Sequence, residues 1–177
     1  NQGESELDFK TGVSIPNYVD QVETVMKNLE YPKTSLLGTS FGGIVALATA
    51  MKHPEIHRLF LRAPVLDYQK HMEKKHDDMS KFKDGIPRYQ DGEFKYQFNY
   101  ESYRTAKGYS MYDHAHKLKM PIMIIQGDAD QSVDYRIAQE LIDKFPNAEL
   151  KIIEGAGHSL GVNGDHSQGE KYMKEFF

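Results

Sequence analysis

Apolar residues recur along the chain in two alternating rhythms. Tyr18, Val22, Val25, Met26 and Leu29 fall at helical spacing after Pro16, and Pro32 ends that run. Thr34-Ser35-Leu36-Leu37 predicts a short strand leading straight into Gly38-Thr39-Ser40-Phe41-Gly42-Gly43. A helix over about 42–52 follows, with Ile44, Val45, Leu47, Ala48 and Met51 on its buried side, and His53-Pro54 stops it. Arg58 to Arg62 predicts a second strand. Pro121 to Ile125 predicts a third, apolar enough to be buried on both faces. Val133, Ile137, Leu141, Ile142 and Phe145 mark a helix, Leu150 to Ile153 a fourth strand, and about 163–177 a final helix. Strands alternating with helices imply an α/β fold, a mostly parallel sheet covered by helices. The polar opening, Asn1 to Ser14, reads as loop.

A different pattern fills 64–119. Lys70 to Asp78 is a charge run suited to a solvated helix face, and Ile86 to Phe98 alternates around Asp91-Gly92, a hairpin signal. The chain thus divides into a core, 1–63 with 120–177, and an insertion, 64–119. The insertion is rich in aromatics, Tyr68, Tyr100, Tyr103, Tyr109 and Tyr112 among them. Two readings stand side by side. The rings line a pocket for an acyl or aromatic group, or they build the insertion's own small core.

Composition narrows the function. The 177 residues suit one domain, or two at most. A formal net charge of −4 argues against a nucleic-acid or membrane-surface partner, which calls for a basic patch. No cysteine is present, so disulfides and thiolate chemistry are excluded. No apolar run is long enough for a transmembrane helix, and a cytoplasmic location is expected. His114 and His116 beside Asp113, and His71, His76, Asp77 and Asp78, lack a recognisable ligand spacing, so no metal site is expected.

The candidate chemistry lies just after the core strands. Gly38-Thr39-Ser40-Phe41-Gly42 has the G-x-S-x-G form and sits between an apolar strand and an apolar helix, the setting of a nucleophile elbow. Small residues two positions either side of Ser40 let strand and helix approach while a strained turn lifts the hydroxyl clear. Serine needs a base, and Gly155-Ala156-Gly157-His158 offers one on a loop after the fourth strand. The base needs an acid to hold its tautomer. Gly127-Asp128-Ala129-Asp130 follows the third strand and offers two candidates, Asp128 and Asp130. His166 is a poorer base, because no Gly-rich loop after a strand presents it.

These residues carry a resemblance. GTSFGG at 38–43, QGDADQSVD at 126–134 and GAGH at 155–158 resemble the serine hydrolases of α/β-hydrolase fold, on the esterase and monoacylglycerol-lipase-like side. The resemblance implies Ser40 as nucleophile, His158 as base and Asp130, three residues after Gly127, as acid. Asp134 departs from the family pattern, which often has proline there. The backbone N–H of Phe41 becomes one oxyanion-hole donor, and the insertion becomes a cap. A hairpin-containing cap of this size is similar to that of the cinnamoyl/feruloyl esterases, so the implied substrate is a small acyl or aromatic carboxylic ester and no cofactor is needed. Amide, peptide or thioester hydrolysis on the same residues, and a non-catalytic hydrolase-like binding module, are the alternatives. Asn1 to Ser5 resembles the G-H-G-x-S stretch that follows an earlier strand in such hydrolases. The expectation is therefore that further strands and the second oxyanion donor lie outside this chain, on a preceding segment or a second chain. Loss of one such donor typically costs about 2.7–4 kcal/mol of transition-state stabilisation.

Overall fold

A computed structural model of the chain describes residues 14–29, 33–76, 78–82, 87–91, 94–97 and 100–177. Asn1 to Ser5 and most of the opening loop, Pro32, Asp77, Ile86, Gly92 and Phe98 lie outside the described residues. Helix α1 (Ile15–Leu29) is amphipathic, burying Ile15 and Val19. Ser14 caps it by accepting the Asn17 N–H on its hydroxyl. Strand β1 (Ser35–Thr39), helix α2 (Phe41–Lys52) and strand β2 (Arg58–Arg62) follow. The insertion contains α3 (Tyr68–Lys75), an antiparallel hairpin of β3 (Pro87–Asp91) and β4 (Phe94–Gln97), α4 (Tyr100–Thr105) and α5 (Met111–His114). The chain returns through β5 (Ile122–Gly127), α6 (Tyr135–Leu141), β6 (Ala148–Ile153) and α7 (Ser167–Phe176).

The main sheet has four strands in the order β1-β2-β5-β6, and every neighbouring pair is parallel. Side-chain alternation divides its two faces. Leu59, Leu61, Ile122 and Ile124 meet Leu47 of α2 and Leu141 of α6 on one face. Phe60, Met123, Ile125 and Ile153 meet Tyr172, Met173 and Phe176 of α7 on the other. Burial on both sides explains the apolar run Ile122 to Ile125 in β5. Helix α2 is buried from Gly43 to Ala50 because α1 packs on its outer side through Ile15 and Val19. Met111, Ala115 and Leu118 of the insertion join the first core, so this part of it is tied to the sheet layer.

Parallel pairing brings the carboxyl ends of all four strands to one edge, where the predicted Ser, Asp and His loops emerge. Strand β1 is an outer strand, and Leu37 on it remains 48% exposed. Among the described residues no helix is long and apolar enough to cross a membrane.

Candidate active site

Ser40 occupies the turn between β1 and α2 with φ 53° and ψ −122°, a left-handed backbone for a residue that carries a Cβ. Such a conformation costs about 1–3 kcal/mol and persists only where its surroundings hold it. Three backbone bonds do so: the Ser40 N–H donates to the Arg62 carbonyl, and the Ser40 carbonyl accepts from Gly43 and Val65, each at 2.9 Å. The crossing is tight enough to require glycine. A Cβ on Gly38 would lie 2.5 Å from the Gly42 carbonyl oxygen. The Phe41 N–H, next in sequence at the start of α2, has no acceptor among the described residues. It sits where a helix N-terminus favours negative charge.

Asp130 and His158 are in contact. The His158 Nδ1–H donates to Asp130 Oδ2 at 2.8 Å, with the carboxylate side chain fully buried and the imidazole 35% exposed. Three further donors hold the carboxylate: the N–H groups of Ser132 (2.7 Å) and Val133 (3.0 Å) on Oδ1, and Gln126 Nε2 (3.0 Å) on Oδ2. Asp128, the rival acid, instead accepts the Gly155 N–H at 2.7 Å and stays exposed. It therefore joins the Asp130 loop to the His158 loop, as does the Ala129 N–H donating to the Ala156 carbonyl at 3.1 Å. Gly127 permits this approach, since a Cβ there would stand 2.0 Å from the Ala156 oxygen.

Ser40 and His158 share the same sheet edge but are not hydrogen-bonded to each other. Arg62 connects their loops: its carbonyl takes the Ser40 N–H and its guanidinium donates to the Ser159 carbonyl at 3.4 Å. A cleft of ≈ 620 Å³ opens on Ser40, lined by Tyr18, Val22, Leu37, Thr39 and Phe41. A second, of ≈ 520 Å³, opens on His158 and Thr39, with Arg62 and His166 in its wall. His166 stands at the start of α7 with its ring over Gly161.

The aromatics of the insertion divide. Tyr68 packs edge-on against Phe41, the neighbour of Ser40, with centroids 5.1 Å apart, and Tyr18 does the same from α1 at 5.6 Å. Tyr100 and Tyr103 pack with Met72 and Met79 in a small core of the insertion. The Tyr103 hydroxyl is bonded to Glu73, and that bond pushes its pKa up to about 12. Burial, then a bond to Glu140, does the same for Tyr112. These two tyrosines hold structure, whereas Tyr68, with Tyr109, packs in the cluster that contains Phe41. Asp134, where the family pattern often has proline, caps α6 and pairs with Arg136 and with Lys74 of α3. The carboxylate's bonds to Arg136 first, and to Lys74, hold its pKa far below the usual range. Among the described residues no group of three or more His, Asp and Glu is arranged to hold a metal ion.

Sequence reasoning passed over Gln126 and Arg62. A lone glutamine in an otherwise apolar, doubly buried strand was the available signal for the first.

A parallel helix-covered sheet, a strained serine turn after one strand and an Asp–His contact after two others define the α/β-hydrolase class. The model of the prolyl oligopeptidase family, peptidase S9, matches residues 14–177, and the chain belongs to that family of serine hydrolases. Est1E from Butyrivibrio proteoclasticus, in a structure with ferulic acid bound, is similar with a TM-score of 0.81 at 17% identity, covering 99% of this chain and 72% of that one. A hydrolase from Agrobacterium vitis S4 gives 0.80 at 18% identity, covering 98% and 72%. The mouse alpha/beta hydrolase domain-containing protein 10 gives 0.77 at 14%, covering 98% and 73%. No curated protein sequence matches the chain.

Proposed function

We propose that the protein cleaves a carboxylic ester through an acyl-enzyme formed on Ser40. The observation that supports this reading best is the buried Asp130–His158 hydrogen bond of 2.8 Å at the same sheet edge as the strained Ser40 turn. His158 takes the Ser40 proton as the hydroxyl attacks the ester carbonyl, and returns it to the leaving alcohol. It then activates a water that releases the acid. Asp130 keeps the Nδ1–H in place, which leaves Nε2 free to act as base. The Phe41 N–H stabilises the oxyanion. The second donor, in this reading, comes on a strand that pairs along the open edge of β1, from this polypeptide or from a second chain. Leu36, Leu37 and Thr39 of β1 line the cleft that opens on Ser40.

An aromatic acyl group fits the reading because Phe41 and Tyr68, with Tyr18 behind, present rings beside the nucleophile turn. The similar fold of Est1E, with ferulic acid bound, is compatible with that choice. Peptide hydrolysis is the second reading, favoured by the match to the prolyl oligopeptidase family. The same three residues would serve it, because acyl transfer from an amide needs the same base and oxyanion donors.

The test is a substrate panel of methyl hydroxycinnamates, p-nitrophenyl acetate and prolyl peptide amides, run on the protein and on Ser40→Ala. Hydrolysis of the hydroxycinnamates that disappears with Ser40→Ala is the expected result. Cleavage of the peptide amides alone selects the second reading, and activity that survives Ser40→Ala removes both.

A further inference from the structure

Gln126 is a polar residue in the most buried strand of the sheet. It is 1% exposed, four residues before Asp130, in a strand whose other side chains are apolar. A buried amide must have its hydrogen bonds made. Gln126 Nε2 has two partners, Asp130 Oδ2 at 3.0 Å and the Val133 carbonyl at 3.2 Å. Both are acceptors only, so chemistry assigns the amide nitrogen to that position.

This arrangement divides the Asp130 carboxylate into two unequal halves. Oδ1 is held by the N–H groups of its own loop, those of Ser132 and Val133. Oδ2 is shared between Gln126 and His158. The loop alone leaves the carboxylate free to twist about Oδ1. Gln126, anchored in a strand, removes that freedom and aims Oδ2 at the imidazole. It also competes for that oxygen. A donor on Oδ2 draws charge from it and so weakens its hold on the imidazolium that forms during attack.

We infer that Gln126 is a positioning residue for acyl transfer, one that orients Asp130 and tempers its attraction for the protonated His158. The inference rests on the reading of Ser40, His158 and Asp130 given above. Gln126→Met, close in volume and without a donor, leaves Oδ2 more basic and imidazolium better stabilised. Its base form is then reached at higher pH. The acid limb of kcat/KM for p-nitrophenyl acetate should therefore move up by about half a unit to one unit, the scale of one hydrogen bond expressed in pH. The lost aim should lower kcat with KM little changed, because the residue does not touch substrate. A residue that only stabilises the strand would lower the melting temperature and leave the pH profile where it was.

The experiment compares pH profiles of the protein, Gln126→Met, Asp130→Asn and Ser40→Ala. A displaced acid limb in Gln126→Met with a fall in kcat supports the inference. An unmoved limb overturns it while Ser40→Ala and Asp130→Asn are inactive. Full activity in Ser40→Ala instead overturns the underlying reading. If Gln126→Met does not fold, NMR of the unaltered protein decides. The Gln126 side-chain NH₂ signals should titrate at the same midpoint as the His158 ring, and signals that ignore His158 refute the link.

Discussion

Replacing Asp130 by Asn probes the site where its geometry is most constraining. Oδ1 accepts two backbone N–H groups, at 2.7 and 3.0 Å, so the new side chain must keep its oxygen there. The amide nitrogen then occupies the Oδ2 position and points its hydrogens at Gln126 and His158. His158 can meet it only by accepting on Nδ1, which puts the ring proton on Nε2. That is the tautomer that cannot take a proton from serine. The same change in a Ser-His-Asp triad costs about 10⁴-fold in rate, roughly 5.4 kcal/mol of transition-state stabilisation. Folding suffers less. Gln126 now faces a donor with a donor, and one unsatisfied buried group costs about 1–3 kcal/mol. Asp128→Asn is the control. Its carboxylate accepts the Gly155 N–H on an oxygen that asparagine retains, so the rate should stay within a fewfold. Initial rates on p-nitrophenyl acetate, corrected for folded fraction by circular dichroism, measure both. A loss under tenfold in Asp130→Asn, or an equal loss in Asp128→Asn, would refute the assignment of the acid.

Two further expectations concern the frame around the site. Gly127→Ala should destabilise the protein by about 1–3 kcal/mol in urea unfolding. The added methyl has 2.0 Å to the Ala156 oxygen, and the Asp130 and His158 loops must part. Unchanged stability would show that the loops are not packed as described. Asp134 should contribute to the acid dependence of stability. Its folded pKa is depressed, chiefly by Arg136 and also by Lys74, so its contribution is present above its ordinary value of 3.8 and fades as pH falls toward the lower folded value. Asp134→Asn should flatten the fall in melting temperature below that value, and an unchanged slope would contradict the pairing.

Much of this site was legible because chemistry and periodicity coincide in it. Strand β5 and helix α2 announce themselves by the apolar runs Ile122 to Ile125 and Ile44 to Ala48, and the Ser, Asp and His loops follow directly from the strands that present them. Edges were harder. Strand β1 runs on to Thr39, where Gly38 and Thr39 read as turn residues, because they pair with Leu61 and Arg62 of β2. Helix α7 starts at Ser167 rather than near 163, since Asn163 with φ 51° and the Val162–Asp165 bridge form a turn first. Helix α5, four residues long, is too short for a periodic signal, yet it carries Met111 into the main core. The choice between Asp128 and Asp130 by residues alone was open. Both follow the same strand, and only the folded loops direct one to His158 and the other to Gly155.

The central claim is that Ser40 is a nucleophile activated by His158. Intact-mass and peptide-mapping measurements after incubation with a fluorophosphonate test it most directly. One phosphonyl adduct on the peptide containing Ser40, absent in Ser40→Ala and formed far more slowly in His158→Ala, is the predicted result. A folded protein that takes no adduct, or takes it at another serine, would contradict the account.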